Sequence, residues 1–243
     1  TAHYGRWKPR YEEKIAEAKA ALEKSPDNTS LKDRLAGVEK MKGMESQPPH
    51  LSAEPMQIRI TPAANGAKDV TVNMLTNHGP VRMRLFTRDA LGTALHFARL
   101  IREGGMIKKE RRVPFYQGLS FHRVIRGFMI QGGCPNGDGL GSPGYSIPAE
   151  LAERTDGELP SRLKHIPGRL SMARSGHYDS AGSQFFICVG DSKSLDGEYT
   201  VFGEVVRGMD VVDTIAETTT GARDKPLEDV TIDMIELLPN ASN

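Results

Sequence analysis

The chain has 243 residues, enough for one large domain or for one domain with an appendage, and it can bury a sizeable core without disulfides or metals. Lys and Arg number 32 against 31 Asp and Glu, and this balance argues against a general electrostatic grip on nucleic acid or on an anionic membrane. With 25 glycines and 15 prolines, the composition is typical of a turn-rich β fold rather than a helical bundle.

Apolar runs are short throughout the sequence. The longest, residues 185–189, has five residues, whereas a membrane-spanning helix needs roughly 18. No N-terminal stretch resembles a signal peptide, and the first residue is Thr1, so the compartment stays open: cytoplasmic, or exported with a leader already removed. Cys134 and Cys188 are too few for a disulfide framework or a zinc site, and we expect no metal and no cofactor.

Residues 1–46 are predicted to form a helical hairpin. The first helix covers residues 9–24, and the second begins near Ser30, where Ser30 and Asp33 resemble a capping box. The two apolar stripes consist of Tyr11, Ile15, Ala18 and Leu22, and of Leu31, Leu35, Val38 and Met41. Because each stripe is thin and needs a partner surface, the hairpin is either an internal packing element or a docking arm for a protein partner.

A linker over residues 47–68, marked by its prolines, precedes a region with β patterning, residues 69–238. Apolar and polar residues alternate on both sides of a turn at residues 77–80, which predicts a hairpin with one buried face. Further strand-like segments lie near residues 120–124, 128–131, 168–173, 185–189, 200–206 and 230–237, and helices lie near residues 94–103 and 209–216. This succession favours a closed β-barrel with two helices, followed by a tail at residues 239–243.

One glycine motif points to a different chemistry but fails on context. Residues 139–144 are G-L-G-S-P-G and fit the dinucleotide-binding pattern G-x-G-x-x-G. That interpretation needs an amphipathic helix after the motif, whereas the next residues, Y-S-I-P, do not start a helix. The seven histidines never occur at paired metal-ligand spacing, and the sequence contains no nucleophile elbow or P-loop. The sequence therefore gives no support to a nucleotide enzyme, a hydrolase or a metal enzyme.

Two segments carry the strongest functional signal. Residues 121–133 are F-H-R-V-I-R-G-F-M-I-Q-G-G, and residues 170–187 contain L-S-M-A-R-S and then G-S-Q-F-F-I. Taken alone, each is compatible with a structural role, because an Arg beside apolar residues can be a snorkelling surface side chain. Three more motifs follow in order, L-D-G at 195–197, V-F-G at 201–203 and G-M-D-V-V at 208–212. Together these motifs resemble the cyclophilin family of peptidyl-prolyl isomerases over residues 69–238.

The resemblance implies an eight-stranded antiparallel β-barrel closed by two helices, with the site on its outer face. It also implies a cis-trans isomerase that assists the folding of proline-containing polypeptides. Rotation about a peptide bond faces a barrier of about 18–20 kcal/mol, and no covalent step is needed if the enzyme favours the twisted amide over both planar forms. The alternative is a proline-directed binding module, or an assembly subunit docked through the N-terminal helices.

The resemblance assigns roles to individual residues. Arg123 matches the catalytic arginine, which donates a hydrogen bond to the prolyl nitrogen of the twisted amide. Gln131 matches a residue that orients this arginine and contacts substrate, and Arg174 matches one that grips the substrate through its main chain, with little part for its side chain. The apolar proline pocket matches Phe128, Met129, Phe186 and Leu195, and the neighbouring walls match His122, Ala173, Gln184 and Tyr199.

Three positions depart from the family pattern. Arg126 replaces the usual proline, which adds positive charge beside the site and favours acidic substrates. Tyr199 stands where many members have histidine, and an aromatic ring there still closes the pocket. Ser194 precedes L-D-G where cyclosporin-sensitive members carry tryptophan, and the single tryptophan of this chain is Trp7. Because a large flat contact and an indole donor are missing, we expect weak cyclosporin binding.

Overall fold

In the computed structural model, the described residues are 70–107, 110–112, 114–152 and 157–238, together with five positions near the N-terminus. The chain divides into two units, Thr1–Ile58 and Arg59–Asn243. The five N-terminal positions are helical and exposed: Ala16, Lys19, Ala20, Glu23 and Lys24. The rest of the predicted hairpin, the linker and the C-terminal tail lie outside the described residues.

The second unit is built from strands and two helices. The strands are β1 (Val70–Thr76), β2 (Gly79–Leu85), β3 (Gly105–Ile107), β4 (Glu110–Arg112), β5 (Arg123–Ile125), β6 (Met129–Gly132), β7 (Arg169–Met172), β8 (Phe185–Cys188), β9 (Val201–Arg207) and β10 (Ile232–Leu237), and the helices are α1 (Leu91–Glu103) and α2 (Met209–Ala216). Eight strands form one antiparallel sheet in the order β10-β1-β2-β9-β7-β8-β6-β5. The pair β3 and β4 forms a separate sheet, which the sequence did not predict because three-residue strands show no readable alternation.

The two ends of the eight-stranded sheet meet through a short contact. The segment before β5 and the segment before β10 share an isolated antiparallel bridge between Ser120 and Thr231. Beside it, the Phe121 N–H donates to the Val230 carbonyl at 2.9 Å. The predicted antiparallel eight-stranded architecture with two helices is therefore confirmed, and these few hydrogen bonds join its ends. Among the described residues, no helix combines the length and the apolar character that crossing a bilayer requires.

Side chains on the inner face of the sheet form the core. Strands β1 and β2 contribute alternate residues, all buried: Val70, Val72 and Met74, then Val81, Met83 and Leu85. The predicted face of α1 covers one end of the barrel, with Ala94, Phe97, Ala98 and Ile101 buried. The Glu150 carboxylate caps this helix from a distant loop, accepting the N–H groups of Gly92 at 3.0 Å and Thr93 at 2.6 Å. A carboxylate suits this position because the first N–H groups of a helix lack partners within the helix.

The four strands β5, β6, β8 and β7 carry two straight rows of residues on opposite faces. In the inner row the register partners are Val124, Ile130, Ile187 and Leu170, all buried in the core. In the outer row the register partners are Arg123, Gln131, Phe186 and Ser171. Residues opposite one another in adjacent strands share a face, and the strands lie about 4.8 Å apart. The register therefore fixes both the order and the spacing of the outer row.

Candidate active site

An apolar cluster lies on the outer face of β6 and β8, apart from the barrel core. Its buried centre is Met129, Phe186 and Cys188, and its partly buried rim is Ile125, Phe128, Ala173, Leu195 and Tyr199. We call these residues the outer pocket. It brings together all the residues predicted for the proline pocket and, from the predicted walls, Ala173 and Tyr199. A concave apolar surface with a partly exposed rim can accept an apolar ring from a ligand.

A buried hydrogen-bond relay supports the outer pocket. The His165 ring stacks on Phe186, with 5.9 Å between ring centroids and 17° between planes. His165 Nδ1 lies 2.9 Å from Asp196 Oδ1, which also accepts the His165 backbone N–H at 2.7 Å. On the other side of the ring, Nε2 lies 3.0 Å from Ser171 Oγ. Burial lowers the pKa of His165, while the Asp196 carboxylate acts in the opposite direction.

The relay contains the residue types of a hydrolase triad but cannot act as one. Ser171 is fully buried, and its hydroxyl lies 3.0 Å from the carbonyl oxygen of Thr200 as well as against His165. A nucleophile has to reach a substrate, and this hydroxyl is enclosed by the protein. The sequence analysis did not note His165, and it noted Ser171 and Asp196 only within L-S-M-A-R-S and L-D-G. His165 and Ser171 are six residues apart and Asp196 lies 31 residues after His165, so no short motif contains all three.

Arg123 lies at the open end of the outer row. Its side chain is 43% exposed, and Nε donates to Asp224 Oδ2 at 3.3 Å. Gln131, its register partner, donates from Nε2 to Gln184 Oε1 at 3.0 Å. The ion-pair partner of the Arg123 guanidinium is Asp224, a residue that the sequence analysis did not select. The role of Gln131 in orienting Arg123 stays a prediction.

Gln184 ties the glycine-rich loop of residues 137–144 to the site. Its Nε2 donates to the carbonyl oxygens of Gly139 at 2.8 Å and Gly141 at 2.9 Å. Gly139 has a φ of 81°, and a Cβ there would lie 3.5 Å from His122 Nε2. His122, predicted as a wall of the site, is buried behind this loop, and burial lowers its pKa. Residues 145–152, which follow the G-x-G-x-x-G motif, contain no helix.

The Arg174 side chain forms a wall beside the outer pocket. Its guanidinium carbon lies 4.4 Å from the ring centroids of both Tyr178 and Tyr199. Nε and Nη2 donate to the Glu198 carbonyl at 3.0 and 2.9 Å. We expected little from this side chain, yet it is only 11% exposed and is held between two rings. The stack fixes the Tyr199 ring, which meets Phe186 edge-on with 5.9 Å between centroids.

Two of the unusual positions lie at the rim of the site. Arg126 is exposed, and its Nη2 lies 2.6 Å from Glu217 Oε2 in α2's C-terminal cap. This ion pair offsets part of the charge that we expected to favour acidic substrates. Ser194 is exposed within the short helical turn Lys193–Leu195, directly before Leu195 of the outer pocket.

The site holds an apolar ring-sized surface beside a permanently charged donor. Cys188 lies within the outer pocket, but burial raises the pKa of its thiol to about 12, so it is not a thiolate nucleophile at neutral pH. Within the described ranges, no group of three His, Cys, Asp or Glu side chains is placed to hold a metal. The fold and site therefore define a β-barrel protein that can act on a bound ligand through non-covalent contacts.

Comparison with known proteins gives the family. Residues 71–237, more than half of the chain, match the family described as cyclophilin type peptidyl-prolyl cis-trans isomerase/CLD. A peptidyl-prolyl cis-trans isomerase of Helicobacter pylori is 42% identical over 153 residues, covering 62% of this chain and 83% of the relative. Peptidyl-prolyl cis-trans isomerase A of Mycobacterium tuberculosis is 37% identical over 174 residues, covering 69% and 91%. A crystal structure of a cyclophilin type peptidyl-prolyl cis-trans isomerase from Cryptosporidium parvum matches with a TM-score of 0.60 at 29% identity, covering 71% of this chain and 99% of that one. The chain belongs to the cyclophilin family of peptidyl-prolyl cis-trans isomerases.

Proposed function

We propose that this chain catalyses the cis-trans isomerisation of X-Pro bonds in polypeptides, with Arg123 as the hydrogen-bond donor to the prolyl nitrogen. The observation that carries the proposal is the outer row, in which Arg123 on β5 lies two strands from Phe186 in the outer pocket. At about 4.8 Å per strand, their Cα atoms are about 10 Å apart. Two long side chains that share one face at this spacing can approach the same proline residue from opposite sides.

The chemistry requires only that the site binds the twisted amide better than either planar form. Twisting removes the resonance of the peptide bond, so the prolyl nitrogen regains a lone pair that accepts a hydrogen bond. A donor at that nitrogen therefore stabilises the transition state selectively, and each ~1.4 kcal/mol of such stabilisation is worth about tenfold in rate. Arg123 suits this role because a guanidinium keeps its charge and offers several N–H donors in one plane.

The other site residues receive roles from their positions. The outer pocket holds the proline ring through Phe128, Met129, Phe186, Leu195 and Tyr199, and the flanking peptide meets Gln131, Ala173, Gln184 and the main chain of Arg174. His122 supports the glycine-rich loop from behind. The Cryptosporidium parvum protein has also been crystallised in the presence of the dipeptide Ala-Pro, a ligand of the class proposed here.

We further propose that residues 69–238 make up the isomerase domain and that residues 1–46 are a helical extension joined to it by residues 47–68. The family match over residues 71–237 supports the boundaries of the isomerase domain. The extension lies outside the family match, and it is either an internal packing element or a docking arm for a protein partner.

The test is protease-coupled isomerisation of a short uncharged X-Pro peptide. Arg102→Ala is a matched control for Arg123→Ala, because the Arg102 side chain is also 43% exposed and also pairs with an acid, Glu103. We expect Arg123→Ala to lower kcat/KM by about 100-fold, the effect of losing one donor to a transition state. Arg102→Ala should match the wild type, and thermal unfolding of each variant checks the fold.

The outcomes separate the alternatives. A folded Arg123→Ala variant with the kcat/KM of the wild type would overturn the role of Arg123. A folded wild-type protein without catalysis would overturn the enzyme and favour a proline-directed binding module.

We also propose that cyclosporin binds weakly, because the exposed Ser194 offers neither a flat ring nor an indole donor beside Leu195. Calorimetry should give a Kd well above the nanomolar range for the wild type. Ser194→Trp should tighten binding by about tenfold, the gain expected from one added aromatic contact and hydrogen bond. A nanomolar Kd for the wild type would contradict this proposal.

A further inference from the structure

The exposed end of the outer row contains an ion pair whose acidic member is outside the set of predicted site residues. Arg123 Nε and Asp224 Oδ2 are 3.3 Å apart, and the two side chains are 43% and 45% exposed. Asp224 lies 101 residues after Arg123, in the short helical turn Ala222–Asp224 that contacts β5. Gln131, the neighbouring polar side chain of the row, is bonded to Gln184. Within the described part of the chain, Asp224 is thus the acid that holds the guanidinium.

Asp224 adopts a backbone conformation that residues with a side chain rarely adopt. Its φ is 59° and that of Arg223 is 60°, and among the residues described here these are the only positive φ values outside glycine. Aspartate tolerates this left-handed region better than most residues because its short polar side chain can bond locally. Such conformations persist only where the surrounding structure fixes them, and they are concentrated at functional sites.

Backbone hydrogen bonds close the loop that carries Asp224. The Gly221 N–H donates to the Lys225 carbonyl at 2.8 Å, and an isolated bridge joins Thr220 to Pro226. These bonds hold the backbone of the turn in place from both sides, so Asp224 is presented next to β5. A long arginine side chain loses rotamer freedom when it binds substrate, and a fixed partner removes part of that cost in advance.

We propose that Asp224 is a positioning residue for the isomerase reaction, holding Arg123 through Nε so that its terminal nitrogens face the prolyl nitrogen. This inference rests on the proposed role of Arg123 as the donor. Nε and the terminal nitrogens lie in one rigid plane, so fixing Nε also fixes the direction of the other N–H groups. The bond to the prolyl nitrogen forms in the twisted state, and Asp224 therefore acts on kcat rather than on KM.

The experiment compares three variants in the peptide assay. Glycine accepts a positive φ without strain, so Asp224→Gly removes the carboxylate and preserves the turn. Arg223→Gly makes the same backbone change one residue earlier and is the matched control. We expect Asp224→Gly to lower kcat by about three- to fivefold at unchanged KM, the range that an exposed ion pair allows. Asp224→Asn keeps an acceptor without the charge, and its kcat should lie between those of Asp224→Gly and the wild type.

Two readouts distinguish positioning from a loss of structure. The NMR resonance of the Arg123 Nε–H should shift in Asp224→Gly and stay in place in Arg223→Gly. Because salt screens exposed charges, raising the salt concentration to about 1 M should lower kcat of the wild type but not of Asp224→Gly.

An unchanged kcat in Asp224→Gly, or an equal fall in Arg223→Gly, would overturn the positioning role. Activity that survives Arg123→Ala would overturn the donor and the positioning role together. Loss of activity in Arg123→Ala with an unimpaired Asp224→Gly would overturn the positioning role alone.

Discussion

The inner and outer rows share four strands but differ in how burial changes along them. Every member of the inner row is an aliphatic residue buried in the core. The outer row begins with the half-exposed charge of Arg123 and ends with the fully buried hydroxyl of Ser171. A row of uniformly buried residues is sufficient for a core. A row in which burial increases from one end to the other exposes a charged donor to water and keeps an apolar pocket away from water. The difference shows that one site can combine two environments at a spacing fixed by the sheet.

Different forces hold the two ends of the outer row. At the buried end, the ring of His165 is fixed by Asp196 and Ser171 on opposite sides. At the exposed end, Arg123 is held by an ion pair of a kind worth at most about 1 kcal/mol. We therefore expect changes at the buried end to affect stability, and changes at the exposed end to affect the rate.

The largest effect is expected when the relay is broken at Asp196. Asp196→Ala leaves the Nδ1–H and the backbone N–H of His165 without their acceptor, and each such loss costs about 1–3 kcal/mol. We expect the free energy of unfolding, measured with urea, to fall by about 3 kcal/mol. KM should rise as well, because Phe186 loses the support of the stacked ring. Asp196→Asn keeps an acceptor and should lose only about 1 kcal/mol. Equal stability of the two variants would mean that the relay does not hold the buried end.

The second effect, in order of size, is a loss of stability at acid pH caused by buried histidines. Burial lowers the pKa values of His96, His122 and His165 below their usual value of about 6.5. Between the lowered values and about pH 6.5 the unfolded chain binds more protons than the fold, so stability falls as the pH falls through this window.

Thermal unfolding between about pH 7.5 and pH 5 should therefore show a Tm that drops by several degrees. His96→Gln should make this dependence shallower, because it removes one of the three titrating groups. The fold should be kept, since the glutamine amide can still donate to the Gly182 carbonyl that His96 Nε2 reaches at 2.8 Å. A Tm that is constant or rises toward acid pH would contradict the expectation.

The smallest of the three effects is expected at the wall of the outer pocket. Arg174→Ala removes the stack on Tyr199 and the bonds to the Glu198 carbonyl, so Tyr199 becomes free to turn. We expect a loss of about 1 kcal/mol in stability and a KM raised about threefold, with kcat nearly unchanged.

Arg162→Ala is the matched control for the wall. Arg162 stacks on Phe86 at 4.3 Å, and neither residue belongs to the outer pocket. Its removal should lower stability to a similar degree and leave KM at the wild-type value. A rise in KM with Arg162→Ala as well would show that the effect of Arg174 is not specific to the wall.

The spacing of apolar residues along the sequence was sufficient to predict most of the strands and helices. Alternation identified the β1–β2 hairpin, and the helical spacing from Ala94 to Ile101 identified the buried face of α1. Arg123 and six of the eight outer-pocket residues were selected because contiguous family motifs contain them, whereas Ile125 and Cys188 were not selected. The same reasoning found no signal for β3 and β4, which are too short to show a period.

Contacts between distant segments could not be predicted in this way. Asp224 is 101 residues from Arg123, and Asp196 is 31 residues from His165. Each is a polar residue in a turn, where no periodicity constrains its direction, and its role depends on which strand the turn meets. The contacts of the Arg174 side chain could not be predicted for a related reason, since its two ring partners come from different loops.

The register of β6 has a consequence for which changes this part of the chain can accept. Substitutions at Arg123 or Phe186 alter the chemistry at either end but keep their separation, which is set by backbone hydrogen bonds across β6. Inserting or deleting one residue in β6 would instead exchange its two faces, turning Gln131 toward the core and Ile130 toward the peptide. The separation of the two ends therefore depends on the number of residues in β6, whereas the chemistry at each end depends on which residues stand there.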